Sequence, residues 1–369
     1  MNNPKIIAMY LPQYHSIPEN DEFWGKGFTD WVSVKKAKPI FNGHNQPRVP
    51  LNNNYYDLSE KQNVAWQAKL AKDHGVYGFG VYHYWFNNEK NLLTKPAEII
   101  RDNKDIDINY FLAWDNCSWV RSWSNVAGND WSPLADKEQK RKGPQVLIPY
   151  ILGHEEDWEN HYNAVRSHFK DERYIKVDNC PIFFILCYSS EIEKMVSYWD
   201  KLAKNDGFNG VKIIYRNIIF KNIPARFTKF NYEPAFSGWV KNDIKSRIQN
   251  KLKLLLRIPR KLQIYDYDIV WQSIIKNAQK QERQPIYSGC FVRYDDSPRR
   301  GDKAIIIKGE SPEKFKKYLK QLIDICKNNG KEFIFVTAWN EWGEGAYLEP
   351  DTKDGYAYLE ALKEVVTSI

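Results

Sequence analysis

"EFIFVTAWNEWGEG", residues 332–345, decides how the chain reads. From Phe333 to Trp339 the run is apolar but for Thr337, and then Asn340, Glu341 and Glu344 arrive among Trp342, Gly343 and Gly345. A half-exposed strand alternates, whereas a continuous apolar run fits a strand covered on both faces, as in a parallel sheet. The same kind of run recurs as "KIIAMYL" (5–11), "VYGFGVYHYW" (76–85), "NYFLAW" (109–114), "PIFFILCY" (181–188), "VKIIYRN" (211–217), "FNYEPAF" (230–236) and "YSGCFVRY" (287–294). Helical patterns lie between. Residues 59–75 open on a Ser59-x-x-Gln62 capping box and stop at Gly75, and residues 311–330 have Ser311 as cap, Pro312 in the first turn and Gly330 as terminator. Eight strands alternating with helical or connecting segments predict a single (β/α)8 barrel of the TIM type over residues 1–369, with long loops at the C-terminal face of its strands. The first two connections read as long and the fifth as short.

Such a barrel places its chemistry at the C-terminal ends of the strands. Those ends carry Tyr10, Gln13, Tyr14 and His15, then His83, Tyr84 and Trp85, then Trp114, Asp115, Asn116 and Trp119. Arg216 ends the fifth run, Glu233 lies near the end of the sixth, and Arg293, Asp295 and Asp296 leave the seventh. The eighth delivers Trp339, Asn340, Glu341, Trp342 and Glu344. Residues three apart on an extended strand point to opposite faces. Gly343 and Gly345 loosen the backbone, so a turn can bring both glutamates into one cavity. Cleavage or transfer at a glycosidic bond needs two carboxyl groups of unequal acidity, and neighbouring indoles would raise one of them by desolvation.

The remaining composition narrows the field. Five cysteines without a C-x-x-C suggest neither a zinc site nor a disulfide framework. Asp295–Asp296, Asp105/Asp107 and Asp266/Asp268 are too short as patterns to specify a cation, so neither metal nor cofactor is expected. No HExxH, Walker loop, GxGxxG after a strand or G-x-S-x-G elbow occurs. The start of the sequence has no basic n-region and no stretch nears the roughly 18 apolar residues of a spanning helix, which suggests a cytoplasmic location. Fourteen Trp and twenty-three Tyr fit an aromatic core and, more weakly, a sugar-binding cleft. Of the net charge of +8, residues 241–261 hold +7. Their Ile and Leu recur at helical spacing, so they read either as a barrel helix or as an interfacial helix docking at the anionic inner face of a membrane, where a lipid-linked acceptor would wait. Nucleic acid is not expected, because no base-reading motif accompanies the charge.

The motifs resemble a known family. "AWNEWGEGAYLEPD" (338–351) with "GYAYLEAL" (355–362) is similar to the C-terminal signature of WbsX-type glycosyltransferases, the glycoside hydrolase family 99-like group. "YLPQYH" (10–15), "GFTDW" (27–31, with Trp31), "ILGHEEDWENHY" (151–162), "FKDERYIKVDNCPIF" (169–183) and "RYDDSPRR" (293–300) match as well. The resemblance implies a (β/α)8 fold and carbohydrate chemistry on a glycan substrate or acceptor, commonly in O-antigen or capsule synthesis. It also implies that Glu341 deprotonates the donor's 2-OH to give a 1,2-anhydro sugar, while Glu344 protonates the leaving oxygen and then activates the acceptor, with net retention. An endo-acting hydrolase of the α-mannosidase kind is the alternative, and a non-catalytic glycan-binding protein the third. Where relatives carry a Glu, this chain has Cys117, with Asp115 nearby, so sugar recognition is expected to differ. An activated donor would call on Arg216, Arg293, Arg299 and Arg300 for its phosphate.

Overall fold

The computed structural model describes residues 3–121, 145–217, 223–238 and 262–368. The apolar runs form β1 (Lys5–Tyr10), β2 (Val76–Asn87), β3 (Asn109–Trp114), β4 (Cys180–Ile185), β5 (Lys212–Asn217), β6 (Thr228–Asn231), β7 (Ile286–Phe291) and β8 (Phe333–Thr337). Every neighbouring pair is parallel, and β1 pairs with both β2 and β8, which closes the sheet into the expected (β/α)8 barrel. Ile6 lies opposite Ile334 on β8, the register that holds the two ends of the barrel together.

Phenylalanines fill the interior. Phe335 on β8 stacks on Phe230 of β6 at 4.5 Å and meets Phe111 of β3 at 6.1 Å, contacts between strands that are not neighbours. Such contacts are only possible across the barrel, so much of the aromatic content is core. Fully burying a side chain of this size contributes about 1.5–3 kcal/mol.

The outer helices follow their caps. In Pro312–Asn328 the Ser311 hydroxyl accepts the Lys314 N–H at 3.3 Å, and Phe315, Leu319, Leu322 and Ile323 form the buried stripe. Asp266 caps Tyr267–Lys280 by accepting the Ile269 N–H at 2.9 Å, a helix-start role rather than a cation ligand. Ser59 does not cap Lys61–Asp73: the cap position is Glu60, and the Ser59 hydroxyl donates to Asp57 at 2.7 Å instead. Asp57, two residues upstream, is the stronger local acceptor and wins that hydroxyl. The long connections are the first, third and sixth, not the first two, since only a hairpin strand (Lys90–Leu92) and one short helix (Lys95–Asp102) separate β2 from β3. Among the described residues no helix is long and apolar enough to cross a membrane. The basic segment 241–261 lies outside the described residues.

Candidate active site

Short pairing and two glycines set the turn that carries both glutamates. Asn340 and Glu341 pair antiparallel with Tyr347 and Ala346, and Trp342–Glu344 make one 3-10 turn ending on Gly345 at φ 57°. That left-handed conformation favours glycine. At Gly343 the constraint is space, because a Cβ would lie 2.5 Å from Arg299 Nε and 2.6 Å from Asp30 Oδ2. The bare backbone lets Asp30 accept the Gly343 N–H at 3.0 Å. Gly343→Ala should therefore push Asp30 and Arg299 off the turn at a cost of about 1–3 kcal/mol, read as a lower urea midpoint. An unchanged midpoint would show that the contact has slack.

Arg299 joins the acids. Its Nη1 donates to Glu344 Oε1 at 2.8 Å, its Nη2 to Glu341 Oε2 at 3.3 Å, and its Nε to Asp30 Oδ1 at 3.3 Å. One guanidinium serves three carboxyl groups and cannot neutralise them all. Glu341 is 5% exposed. Burial, reinforced by Glu344, pushes its carboxyl up to about 8 against the pull of Arg299. Glu344 stands nearer solvent, with 24% of its side chain exposed. The pair is thus made of one deep and one shallow acid, as the turn geometry requires for unequal roles.

Glu344 opens into a cavity of about 290 Å³ at the C-terminal end of the barrel. Gln13 and Trp24 line it after β1, Asp115 to Val120 (Asn116 excepted) after β3, Leu186 after β4, Arg216 on β5, and Arg299 and Arg300 after β7. Of the residues expected at the rim, Gln13, Asp115, Trp119, Arg216 and Glu344 meet here. Tyr84 is buried near enough for Asp115 and Glu341 to hold its phenol well above the usual range, after burial itself.

Several other expected residues support the site from behind. The Tyr14 hydroxyl lies 2.5 Å from the Asn340 carbonyl and 3.2 Å from Asp30, and accepts the Trp342 N–H at 3.1 Å. The Asn340 amide bonds the Leu11 N–H at 2.7 Å and carbonyl at 2.9 Å, clamping the end of β8 to that of β1. Asn116 holds Cys187 in the same way, at 2.7 Å to both its N–H and its carbonyl.

The rest face elsewhere. Tyr10 bonds Gln67 at 2.5 Å, His15 the Pro12 carbonyl at 3.0 Å, Trp31 the Tyr56 carbonyl at 2.9 Å and Trp114 the Trp85 carbonyl at 2.9 Å. His83 sits 2.9 Å from His161, and burial pushes it down to about 3, so it is neutral at pH 7. Glu233 is fully buried, accepts the Ser237 N–H at 2.9 Å, and is pushed up to about 8 by that burial. Trp339 packs on Phe79 at 5.4 Å and Trp342 stacks on Tyr347 at 3.7 Å, so both indoles face the core and neither lines the cavity.

Arg293 is a correction. It is not a rim cation but lies buried between the Tyr347 and Tyr358 rings, paired with Asp351 at 2.7 Å and Asp354 at 3.1 Å. Asp295 is equally engaged: it accepts from Gln46 at 2.7 Å and bonds His44 at 2.8 Å. Burial would raise its pKa, but His44 and Arg48 hold it down at about 2. Asp296 accepts the Ile305 N–H at 2.6 Å and pairs with Arg300 at 2.9 Å. Among the described residues no group of three or more His, Cys, Asp or Glu side chains is placed to hold a metal ion. Sequence reasoning did not single out Asp30 or Trp24. Asp30 was visible only inside the "GFTDW" motif, and its partners Arg299 and Gly343 lie at the other end of the chain.

The profile of the family described as Glycosyltransferase WbsX matches residues 6–362, nearly the whole chain. The chain belongs to the WbsX family. This WbsX-family chain is 28% identical over 375 residues to the uncharacterized protein WxcX of Xanthomonas campestris pv. campestris (strain ATCC 33913), covering 98% of itself and 49% of WxcX. It therefore spans about half the length of the curated relatives it matches. A GH99 endo-alpha-mannosidase from Bacteroides thetaiotaomicron is similar in fold, with a TM-score of 0.56 at 13% identity over 98% of this chain and 96% of that one. A glycoside hydrolase-like protein gives 0.58 at 11% identity, over 99% and 94%. These likenesses fix the fold, and the family is one of carbohydrate-active enzymes.

Proposed function

We propose that the WbsX-family chain transfers a glycosyl group with retention, in the synthesis of a bacterial surface polysaccharide, using Glu341 and Glu344 as its acid–base pair. The observation that carries this reading is the turn after β8, which holds a deep and a shallow carboxyl on one guanidinium at the mouth of the barrel. Glu341, the deeper group, takes the proton of the donor's 2-OH, and that oxygen closes on C1 as the bond to the leaving group breaks. Glu344, at the cavity surface, gives its proton to the departing oxygen. It then takes and keeps the acceptor's proton as the acceptor oxygen attacks C1 and the C1–O2 bond of the 1,2-anhydro ring breaks, while Glu341 gives the proton it holds back to O2. Two displacements at C1 restore the starting configuration. Incubating the protein with a panel of activated sugars, with and without acceptor glycans, and following products by mass spectrometry tests the reading. New glycosides that need the acceptor support it, and hydrolysis alone supports the second reading.

That second reading, an endo-acting retaining hydrolase, is favoured by two of the three arginines that line the cavity. Arg299 is engaged by Asp30, Glu341 and Glu344, and Arg300 by Asp296, whereas a donor phosphate would draw on them.

The pH profile reports on the two acids as a pair. Burial, reinforced by Glu344, holds Glu341 up at about 8. A carboxyl with this affinity is a strong base once ionised, and only its ionised form can accept the 2-OH proton. The same step needs a proton on Glu344, so the pair must keep one proton between them, and kcat/KM should fall as pH rises through about 8, where that proton is lost. A profile that keeps climbing through this range would show that the leaving oxygen needs no proton from the pair. The groups acting on Glu341 are Glu344, Arg299 and Asp30, with the Tyr82, Tyr84 and Tyr232 phenols close by.

A further inference from the structure

Asp115 and Arg216 both line the cavity and are partly exposed, and among the described residues neither Asp115 Oδ1 nor Arg216 Nε has a hydrogen-bond partner. Folded proteins keep few such atoms, since each gives up water with no replacement, and those that remain often meet a ligand. The two residues come from the strands on either side of β4, Asp115 directly after β3 and Arg216 within β5. The rest of Asp115 is fixed: its backbone N–H donates to the His83 carbonyl at 3.0 Å, and Cys117 bonds its carboxyl through both N–H and thiol. Among the described residues no ion pair joins Asp115 to Arg216, although the guanidinium is close enough to act on the carboxyl.

An acceptor and a donor of opposite charge on one cavity lining match neighbouring hydroxyls on one sugar ring. One hydroxyl donates to the Asp115 carboxylate, and the next accepts from the Arg216 guanidinium. A phosphate or a uronate would satisfy Arg216 but would meet the Asp115 carboxylate as well. A neutral ring meets neither conflict, and Trp119 supplies an indole on the same lining.

We propose that Asp115 and Arg216 select the sugar, binding two adjacent hydroxyls of a neutral pyranose in the subsite beside Glu344. This substrate class rests on the glycosyl-transfer reading above. The cavity needs another hydroxyl-recognising group because Cys117 offers only a thiol, and Asp115 stands two residues away.

The test is direct binding, by calorimetry or saturation-transfer NMR, of methyl glycosides of neutral hexoses and 6-deoxyhexoses. It includes the monodeoxy series of the best binder and a methyl uronoside. On the unmutated protein, removing either of two adjacent hydroxyls should weaken binding roughly 10- to 100-fold, the usual range for a hydrogen bond to a charged group. Asp115→Asn and Arg216→Gln should weaken the parent glycoside comparably, and each should abolish sensitivity to one of those two deoxygenations. The proposal is overturned if no neutral glycoside binds, if the uronoside binds more tightly, or if both variants keep wild-type affinity and the wild-type deoxy pattern. Because methyl glycosides report binding without turnover, this outcome is separate from the acid–base reading, which is tested by the rates of the Glu341 and Glu344 variants.

Discussion

Glu341→Gln and Glu344→Gln should each lower the rate of glycosyl transfer by about 10²–10⁴-fold while the protein stays folded, the usual contribution of one positioned acid or base. Glutamine keeps the shape and the hydrogen-bonding reach of glutamate but cannot exchange a proton. At Glu341 the change even relieves an electrostatic burden. A carboxyl raised from 4.5 to about 8 in the fold contributes stability that is fully present below its unfolded value and is lost as pH rises through about 8. The neutral amide carries no such loss, so Glu341→Gln should resist urea relatively better than the parent above pH 8. Low activity in a well-folded variant is therefore the diagnostic combination. Near-normal turnover by either folded variant would remove that residue from the mechanism.

Arg299→Met has the largest expected effect on stability. Asp30, Glu341 and Glu344 all share this guanidinium, and Arg299 and Asp30 are nearly fully buried. Removing one partner of a buried ion pair typically destabilises by about 3–5 kcal/mol, because the remaining charge has lost its compensation. Here three acids lose it together, and the methionine fills the space but offers no donor. Urea unfolding should show the deficit at pH 8 and a smaller one at pH 5, where Glu341, its carboxyl raised by burial, is protonated and carries no charge to compensate. A deficit that is the same at both pH values would mean that lost packing, not charge, accounts for Arg299.

The strands were legible because a barrel strand is covered on both faces, so its whole length reads apolar. β8 is the clearest case, with Phe333–Thr337 buried throughout. The turn was legible from Gly343 and Gly345, whose presence beside two acids makes sense only if the backbone folds back. Side-chain direction was not legible. Arg293 sits at a strand end like a rim residue, yet its partners Asp351 and Asp354 are supplied by the C-terminal stretch and draw it inward. Trp339 and Trp342 look like sugar platforms beside the glutamates, but Phe79 and Tyr347 offer them a closer packed surface. Asp30 escaped notice for the converse reason. Nothing in its local sequence announces that Arg299, across the barrel mouth, will depend on it.

The account turns on retention through a shared pair of acids. Its most direct test is the anomeric configuration of the first product, read by proton NMR within the first turnovers of whichever panel donor reacts. The account predicts the same anomer as the donor, with the signal absent from Glu341→Gln and Glu344→Gln at matched protein concentration. A first product of inverted configuration would contradict it, because one displacement at C1 leaves no place for the 1,2-anhydro sugar that Glu341 is assigned to form.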